Sequence, residues 1–430
     1  MSTLSEIKKH NLIFISAQPD TPYFHWQVEI YMRQFKLLGL QPYCYSVFGY
    51  TKKPSKTIQD LKKKGFNIVW YKDERQNKIY IPSIRPFLLA KFFKDNPMLG
   101  QNVFYHDSDI LFYQLPKFEL LLQDDICYVS DTVDYIGANY IKSCETRYRS
   151  KYPDIKKENL LDMMCDAVNI DKELVVKNEK NSGGAQYLLK NINSDYWNTI
   201  ETNCVKLYSK LIDYENKYPI DHHIQKWTTD MWNVLWELWK RGKQTIVHKE
   251  LSFCWSTYSY SDVYRHNIFH LAGITGDLKY ASFYKGEYNN TNILSQYDLD
   301  YFDYACSNAT AYYVEWINKV KQDYYNIKPN PNIKKIQLVQ KATVQQDTKY
   351  DTYIYKQIVS KTLNDKSYYI DLYKETFIGW NGTRWVLDYI SKLNDLLKNK
   401  TKDFTGLCFS LNTDTDIFAT EWEEYIVLEI

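Results

Sequence analysis

"FYHDSDILF", residues 104–112, decides how the rest of the chain is read. Its aromatic and aliphatic residues suit a buried strand, yet Asp107 and Asp109 sit one residue apart near its end. A carboxylate in an apolar setting is expensive unless it is paired, and two side by side also repel each other. Positions i and i+2 share one face of a strand, and they converge where the strand turns into a loop. The stretch therefore predicts a strand at the carboxyl edge of a sheet, where open α/β sheets hold ligands.

The segments around it fit that sheet. Residues 11–17, "NLIFISA", predict a buried first strand followed by a loop, and residues 26–39 a helix that stops at Gly39. Residues 41–50 predict a second strand, and residues 58–73 a short helix, a break at Gly65 and a third strand. Residues 84–97 predict a helix leading into the acidic strand, and residues 125–131 a further strand. "NSGGAQYLLKN", residues 181–191, predicts a glycine turn opening a helix. Residues 228–242 predict an aromatic helix with a glycine stop, and residues 243–250 a strand. Strands alternating with helices predict an α/β fold with a mainly parallel, Rossmann-like sheet over residues 1–325. Residues 326–341, with two prolines in "NIKPNPNIKK", predict a linker. Residues 342–430 predict a small strand-rich accessory domain, with strands over 366–373, 376–389, 406–412 and 423–430, a turn at Asn381 and Gly382, and a helix over 391–400.

Composition narrows the function classes. A formal net charge of +2 argues against a dedicated non-specific nucleic-acid binder. Aromatic residues make up 17% of the chain, with 40 Tyr and 12 Trp, which suits stacking on sugars or bases. Codon bias toward AT-rich codons accounts for the same excess, and it suits a viral or phage origin. The cysteines are scattered with no C-x-x-C, so neither a zinc site nor a dense disulfide framework is expected. The N-terminal residues carry no signal-peptide pattern, and no apolar run approaches the roughly 20 residues needed to span a bilayer. A soluble, cytoplasmic protein is the expectation.

A hard divalent cation would neutralise Asp107 and Asp109 and keep positions open for phosphate oxygens, which makes the D-x-D string a candidate site for a metal and a diphosphate. Two solvated loop aspartates are the plainer alternative. His270 ends the apolar run "NIFH" and is the candidate third ligand; an imidazole beside carboxylates suits manganese better than magnesium. A hydrogen-bonded core histidine is its alternative.

The combination resembles the GT-A class of nucleotide-sugar-dependent glycosyltransferases, in which a D-x-D and a late histidine hold manganese on the donor's diphosphate. "PYFHWQ" (22–27), "DMW" (230–232) and "FHLAG" (269–273) resemble, in order, segments of the hydroxyproline O-arabinosyltransferase and peptidyl-serine α-galactosyltransferase group. Asp230 stands where that group has Glu, and Leu271 where it has an aromatic residue. The resemblance covers residues 11–285 and implies a metal-dependent glycosyltransferase. It would move a sugar, with retention, from a nucleotide-diphosphate donor, UDP-sugars favoured, to an acceptor hydroxyl on a protein, a glycan or a hydroxylated DNA base. A non-catalytic sugar- or nucleic-acid-binding protein on the same fold is the alternative, with Trp380, Trp385 and Trp422 as its stacking platform.

The resemblance implies roles for single residues. Asp109 and Asp107 would bind the metal with His270 (Mn2+, or Mg2+). Ser16, Ala17, Gln27, Arg85, Ser108 and Gly183 would contact the donor together with Asp107. Asp230 would stabilise charge at the anomeric carbon or act as nucleophile, and Asn181 would touch donor sugar or acceptor. Each has a structural alternative: a salt bridge for Arg85, helix-to-sheet packing for Gln27, a capping turn for residues 181–184, a helix-dipole acid for Asp230. Trp232, Trp236 and Trp239, at i, i+4 and i+7, predict a core stripe; His222 and His223 predict a surface role, with a place at the acceptor site as the alternative.

Overall fold

β1 (Leu12–Pro19) is buried over all but its last residue. It runs through the middle of a sheet covered on both faces, which is why its sequence is an almost unbroken apolar run. The structure, a computed structural model, describes residues 3–153, 155, 159–275, 283–294 and 308–327, and the backbone of the later strands. β2 (Cys44–Tyr50), β3 (Asn67–Lys72) and β4 (Asn102–His106) are parallel to β1: β2 and β4 flank it, and β3 pairs with β2. A short β5 (Ile110–Phe112) follows β4, then β6 (Cys127–Asp131), β7 (Gly183–Lys190) and β8 (Thr245–Val247). The sheet order is β3-β2-β1-β4-β7-β6-β8. β7 is antiparallel to both β4 and β6, and β8 is parallel to β6. The α/β fold with a mixed, mainly parallel sheet is the one the sequence predicts.

Side chains of β1 alternate between two layers. Ile13, Ile15 and Ala17 pack with Leu88, Phe92 and Trp197, contributed by the helices Ile84–Asp95 and Ser194–Lys217. Phe14 points to the other face, where it meets Phe35, Phe104, Phe112 and Phe118 edge-on. Each such aromatic pair adds about 0.5–1.5 kcal/mol beyond area burial. A second core gathers Trp232, Trp236 and Trp239 of the helix Thr229–Lys240 with Leu161, Met164 and Leu207. The tryptophan stripe is core, as its spacing predicts.

One predicted element is of the wrong type. Residues 183–190 form strand β7 instead of a helix. Locally, "AQYLLK" favours a helix, but the strand lies between two partners and its backbone is paired on both sides. Tertiary pairing outweighs a propensity difference of well under about 1 kcal/mol per residue. Its one buried cation, Lys190, donates to the carbonyls of Leu121 (2.7 Å) and Asp124 (2.9 Å).

The later part of the chain contains β9 (Phe253–Trp255), β10 (Ile268–His270), the helix Thr310–Tyr325 and a closed antiparallel barrel. The barrel strands are β11 (Lys335–Gln340), β12 (Thr352–Lys356), β13 (Tyr368–Asp371), β14 (Thr376–Trp380), β15 (Trp385–Tyr389) and β16 (Tyr425–Glu429). β11 lies inside the stretch read as a linker, and it closes the barrel by pairing with β16. Closure leaves no free sheet edge. The turn at Asn381 and Gly382, the strand over 406–412, the helix over 391–400 and Trp422 lie outside the described residues, as do the side chains of Trp380 and Trp385. No helix among the described residues is long and apolar enough to cross a membrane.

Candidate functional site

β4 ends at His106, and the chain turns through Asp107, Ser108 and Asp109 before β5. The two acids thus follow a central strand at the carboxyl edge of the sheet. One helix, Pro22–Leu37, holds the turn through two glutamines seven residues apart, on one face. Gln34 donates from Nε2 to the carbonyl of Phe112 and accepts its amide N–H at Oε1, both at 2.8 Å. Gln27 accepts the hydroxyl of Ser108 at 3.1 Å and donates to the carbonyl of Tyr23 at 2.7 Å. Gln27 and Ser108, both read as donor contacts, are therefore bonded to each other.

Asp107 and Asp109 share this turn, and His270 ends β10 in the later part of the chain. Asp109 and His270 are buried and Asp107 is half-buried. Two carboxylates on one turn are hard oxygen donors of the kind a divalent cation takes.

Arg85 stands beside this turn. Its Nη1 is 2.7 Å from Asp107 Oδ1 and 3.4 Å from Asp230 Oδ2. One guanidinium thus faces two carboxylates, so the cluster keeps a negative balance that favours a cation. Burial works against the charged guanidinium, but Asp107, Tyr105 and Asp230 hold it well above its ordinary range. Asp230, in the first turn of the helix Thr229–Lys240, is buried. Burial pushes its carboxyl up, against the pull of Arg85 and of a hydrogen bond from Tyr80. The Tyr80 hydroxyl lies 2.7 Å from Asp230 Oδ1 and 2.6 Å from the carbonyl of Trp227, and it accepts the amide N–H of Asp230 at 3.1 Å. Its single proton serves one of the two acceptors at a time.

The Ser16 hydroxyl is fully buried, 2.7 Å from the hydroxyl of Tyr31, and Ala17 packs in the core beside it. Asn181 is half-buried in the turn before β7, and its carbonyl accepts from Thr245 Oγ1 at 3.1 Å. Gly183 is needed for packing: a Cβ there would stand 2.3 Å from the carbonyl of Ser130 on β6. At Gly184 a Cβ would stand 2.4 Å from the hydroxyl of Tyr187 and 3.0 Å from Met231, the neighbour of Asp230. Because β7 runs antiparallel to β4, with Gln186 opposite His106, this glycine turn comes to the same edge as Asp107. Sequence reasoning missed Tyr80 and Gln34. Tyr80 acts on Asp230 across 150 positions of the chain, and no local pattern marks it. Gln34 had a signal, its seven-residue spacing from Gln27.

No protein-family model and no curated protein sequence matches the chain. Among solved structures it is similar to the galactosyltransferase LgtC in complex with donor and acceptor sugar analogs. The TM-score is 0.33 at 12% identity, over 74% of this chain and 97% of that one. It is also similar to mouse xyloside xylosyltransferase 1, TM-score 0.27 at 11% identity, over 60% and 96% of the two chains. A third is core-mannan synthase A from Aspergillus fumigatus in its Mn/GDP form, TM-score 0.23 at 9% identity, over 52% and 69%.

Proposed function

We propose that this chain is a metal-dependent glycosyltransferase of the GT-A kind, moving a sugar from a nucleotide-diphosphate donor to an acceptor hydroxyl with retention. The observation that supports it most is the pair Asp107 and Asp109 on the turn that ends a central strand, with Arg85 bridging Asp107 to Asp230. Asp107 and Asp109, with His270 as third ligand, would hold Mn2+ or Mg2+, which as a Lewis acid offsets charge on the departing diphosphate. Arg85 fixes Asp107 and has donors left for an oxygen of the donor substrate. Asp230, close enough to share Arg85, is the carboxylate that would face the anomeric carbon. The glycine turn over residues 181–184, with Asn181, would border the sugar. Ser16 and Ala17, buried in β1, would support the nucleotide end through the strand that carries them. Gln27 would act by fixing Ser108, which keeps the two acids apart at a set distance.

A thermal-shift series with nucleotide sugars, with and without Mn2+, tests this. A ligand at 100 times its dissociation constant stabilises by about 2.7 kcal/mol, enough to raise the melting temperature by degrees. The expected result is a shift by one UDP-sugar that requires Mn2+. Asp109→Ala should abolish that shift and lower donor hydrolysis by at least about 100-fold, since even outer partners of a metal site carry 10- to 100-fold effects. No shift by any nucleotide sugar, or unchanged turnover in Asp109→Ala, would remove the transferase reading and favour a binding protein.

A further inference from the structure

A cavity of about 540 Å3 opens near the start of the Asp230 helix, walled by Tyr140 and Trp227. Trp227 is 60% exposed, an unusual position for the largest apolar ring. Tyr140 stacks at 15° on Tyr135, and its hydroxyl oxygen accepts the amide N–H of Gln225 at 3.1 Å. Two flat faces thus border a polar hollow.

The polar atoms of this hollow point to hydroxyl groups. Glu215 is 6% exposed. One of its carboxylate oxygens pairs with Lys226, while Oε1 has no hydrogen-bond partner, the nearest ring nitrogen of His223 being 4.0 Å away. That nitrogen is already within 3.1 Å of the hydroxyl of Tyr148. The Oε1 of Gln225 is a second buried acceptor without a partner. Both residues line the cavity, and buried acceptors are nearly always paired, so these two oxygens just behind its surface call for donors that a ligand's hydroxyls would supply. Arg147 and Lys226 balance Glu215 and Asp221 on the lining. A hollow with no net formal charge and free carboxylate and amide oxygens disfavours phosphates and suits a neutral polyol.

We infer that this cavity binds a neutral sugar, stacked on Trp227 with its hydroxyls donated to Glu215 and Gln225, and that this sugar belongs to the acceptor. The acceptor assignment rests on the transferase reading; the sugar binding does not. What joins the cavity to the reaction is Tyr80, whose hydroxyl lies 2.6 Å from the Trp227 carbonyl and 2.7 Å from Asp230 Oδ1.

Saturation-transfer NMR on the full chain tests the binding with methyl β-galactoside, methyl α-glucoside, methyl α-mannoside, N-acetylglucosamine and a 12-nucleotide DNA strand as probes. At least one sugar should receive saturation from the wild type. Trp227→Ala should weaken it by about tenfold, the scale of one stacked ring, and Trp227→Phe should restore most of it. Trp227 is exposed, so the alanine variant should fold, and its melting curve checks this. Glu215→Gln, which keeps the shape and removes the charge, should weaken the same sugar. Silence from all four sugars, equal signals in wild type and Trp227→Ala, or DNA bound in a Trp227-dependent way would each overturn the inference. Trp227-dependent sugar binding in a protein that no nucleotide sugar stabilises would keep the glycan site and remove only the transferase reading.

Discussion

The helix Thr229–Lys240 behaves differently at its two ends. Its first turn buries a carboxylate, Asp230, in a network with Arg85 and Tyr80. The turns that follow bury Trp232, Trp236 and Trp239 in apolar surroundings, each 0–3% exposed. Two of the three indole N–H groups are paired: Trp232 donates to the carbonyl of Ile136 and Trp239 to Thr245 Oγ1, both at 2.8 Å. The apolar end stabilises the fold through area removed from water. The acidic end does the reverse, because burial disfavours the charged form of Asp230. A stabilising anchor thus holds a destabilising group in place, as the role proposed for Asp230 requires.

The largest expected effect breaks the anchor. Trp236→Ala should destabilise by about 3–5 kcal/mol, the range for an aromatic ring removed from a core, measured by denaturant unfolding. If the loss is well below that, the tryptophan layer is not what fixes the helix. Asp230→Asn tests the other end and should act with the opposite sign. The native carboxyl titrates above its ordinary value, so the folded state holds more protons than the unfolded chain in that interval. The stability that this proton contributes is present below the ordinary carboxylate value of about 4 and is lost as pH rises through the native one. The asparagine variant should therefore melt higher than the wild type at neutral pH, with the difference shrinking toward pH 4. Its transfer rate should fall by about 100-fold or more, as when one transition-state partner is removed. A variant that melts lower at neutral pH would mean that Arg85 and Tyr80 outweigh burial.

The same contrast marks what could be read from sequence. Apolar periodicity shows β1, the tryptophan stripe and the glycine stops, because each is a local consequence of which face is buried. The D-x-D turn was legible because two acids after an apolar strand conflict with burial unless something neutralises them. Strand β7 was not legible: "AQYLLK" satisfies a helix locally, and only its two neighbours, far away in the chain, make it a strand. Tyr80 was hidden for the same reason. Nothing near it says that its hydroxyl will meet a residue at the start of a distant helix. Gly183 and Gly184 were visible as glycines, but their reason, close approach to Ser130, Tyr187 and Met231, needs the packed structure.

The smallest expected effect separates the hydroxyl of Tyr80 from its ring. The ring packs against Tyr208, centroids 4.7 Å apart, while the hydroxyl serves Asp230 and the Trp227 carbonyl. Tyr80→Phe keeps the first and removes the second. The loss of one buried hydrogen bond should lower stability by about 1 kcal/mol, with the upper end of roughly 1–3 kcal/mol reached if the Trp227 carbonyl is left unpaired. The bond to Tyr80 is one of the interactions that hold the Asp230 carboxyl down against burial. Without it the carboxyl should titrate higher still, so the acid limb of the transfer rate should move to higher pH in Tyr80→Phe. An unmoved limb with the expected stability loss would mean that Arg85 alone sets the ionisation of Asp230. An acid limb that moves to lower pH would mean that Tyr80 accepts a proton from the neutral acid more than it donates to the carboxylate.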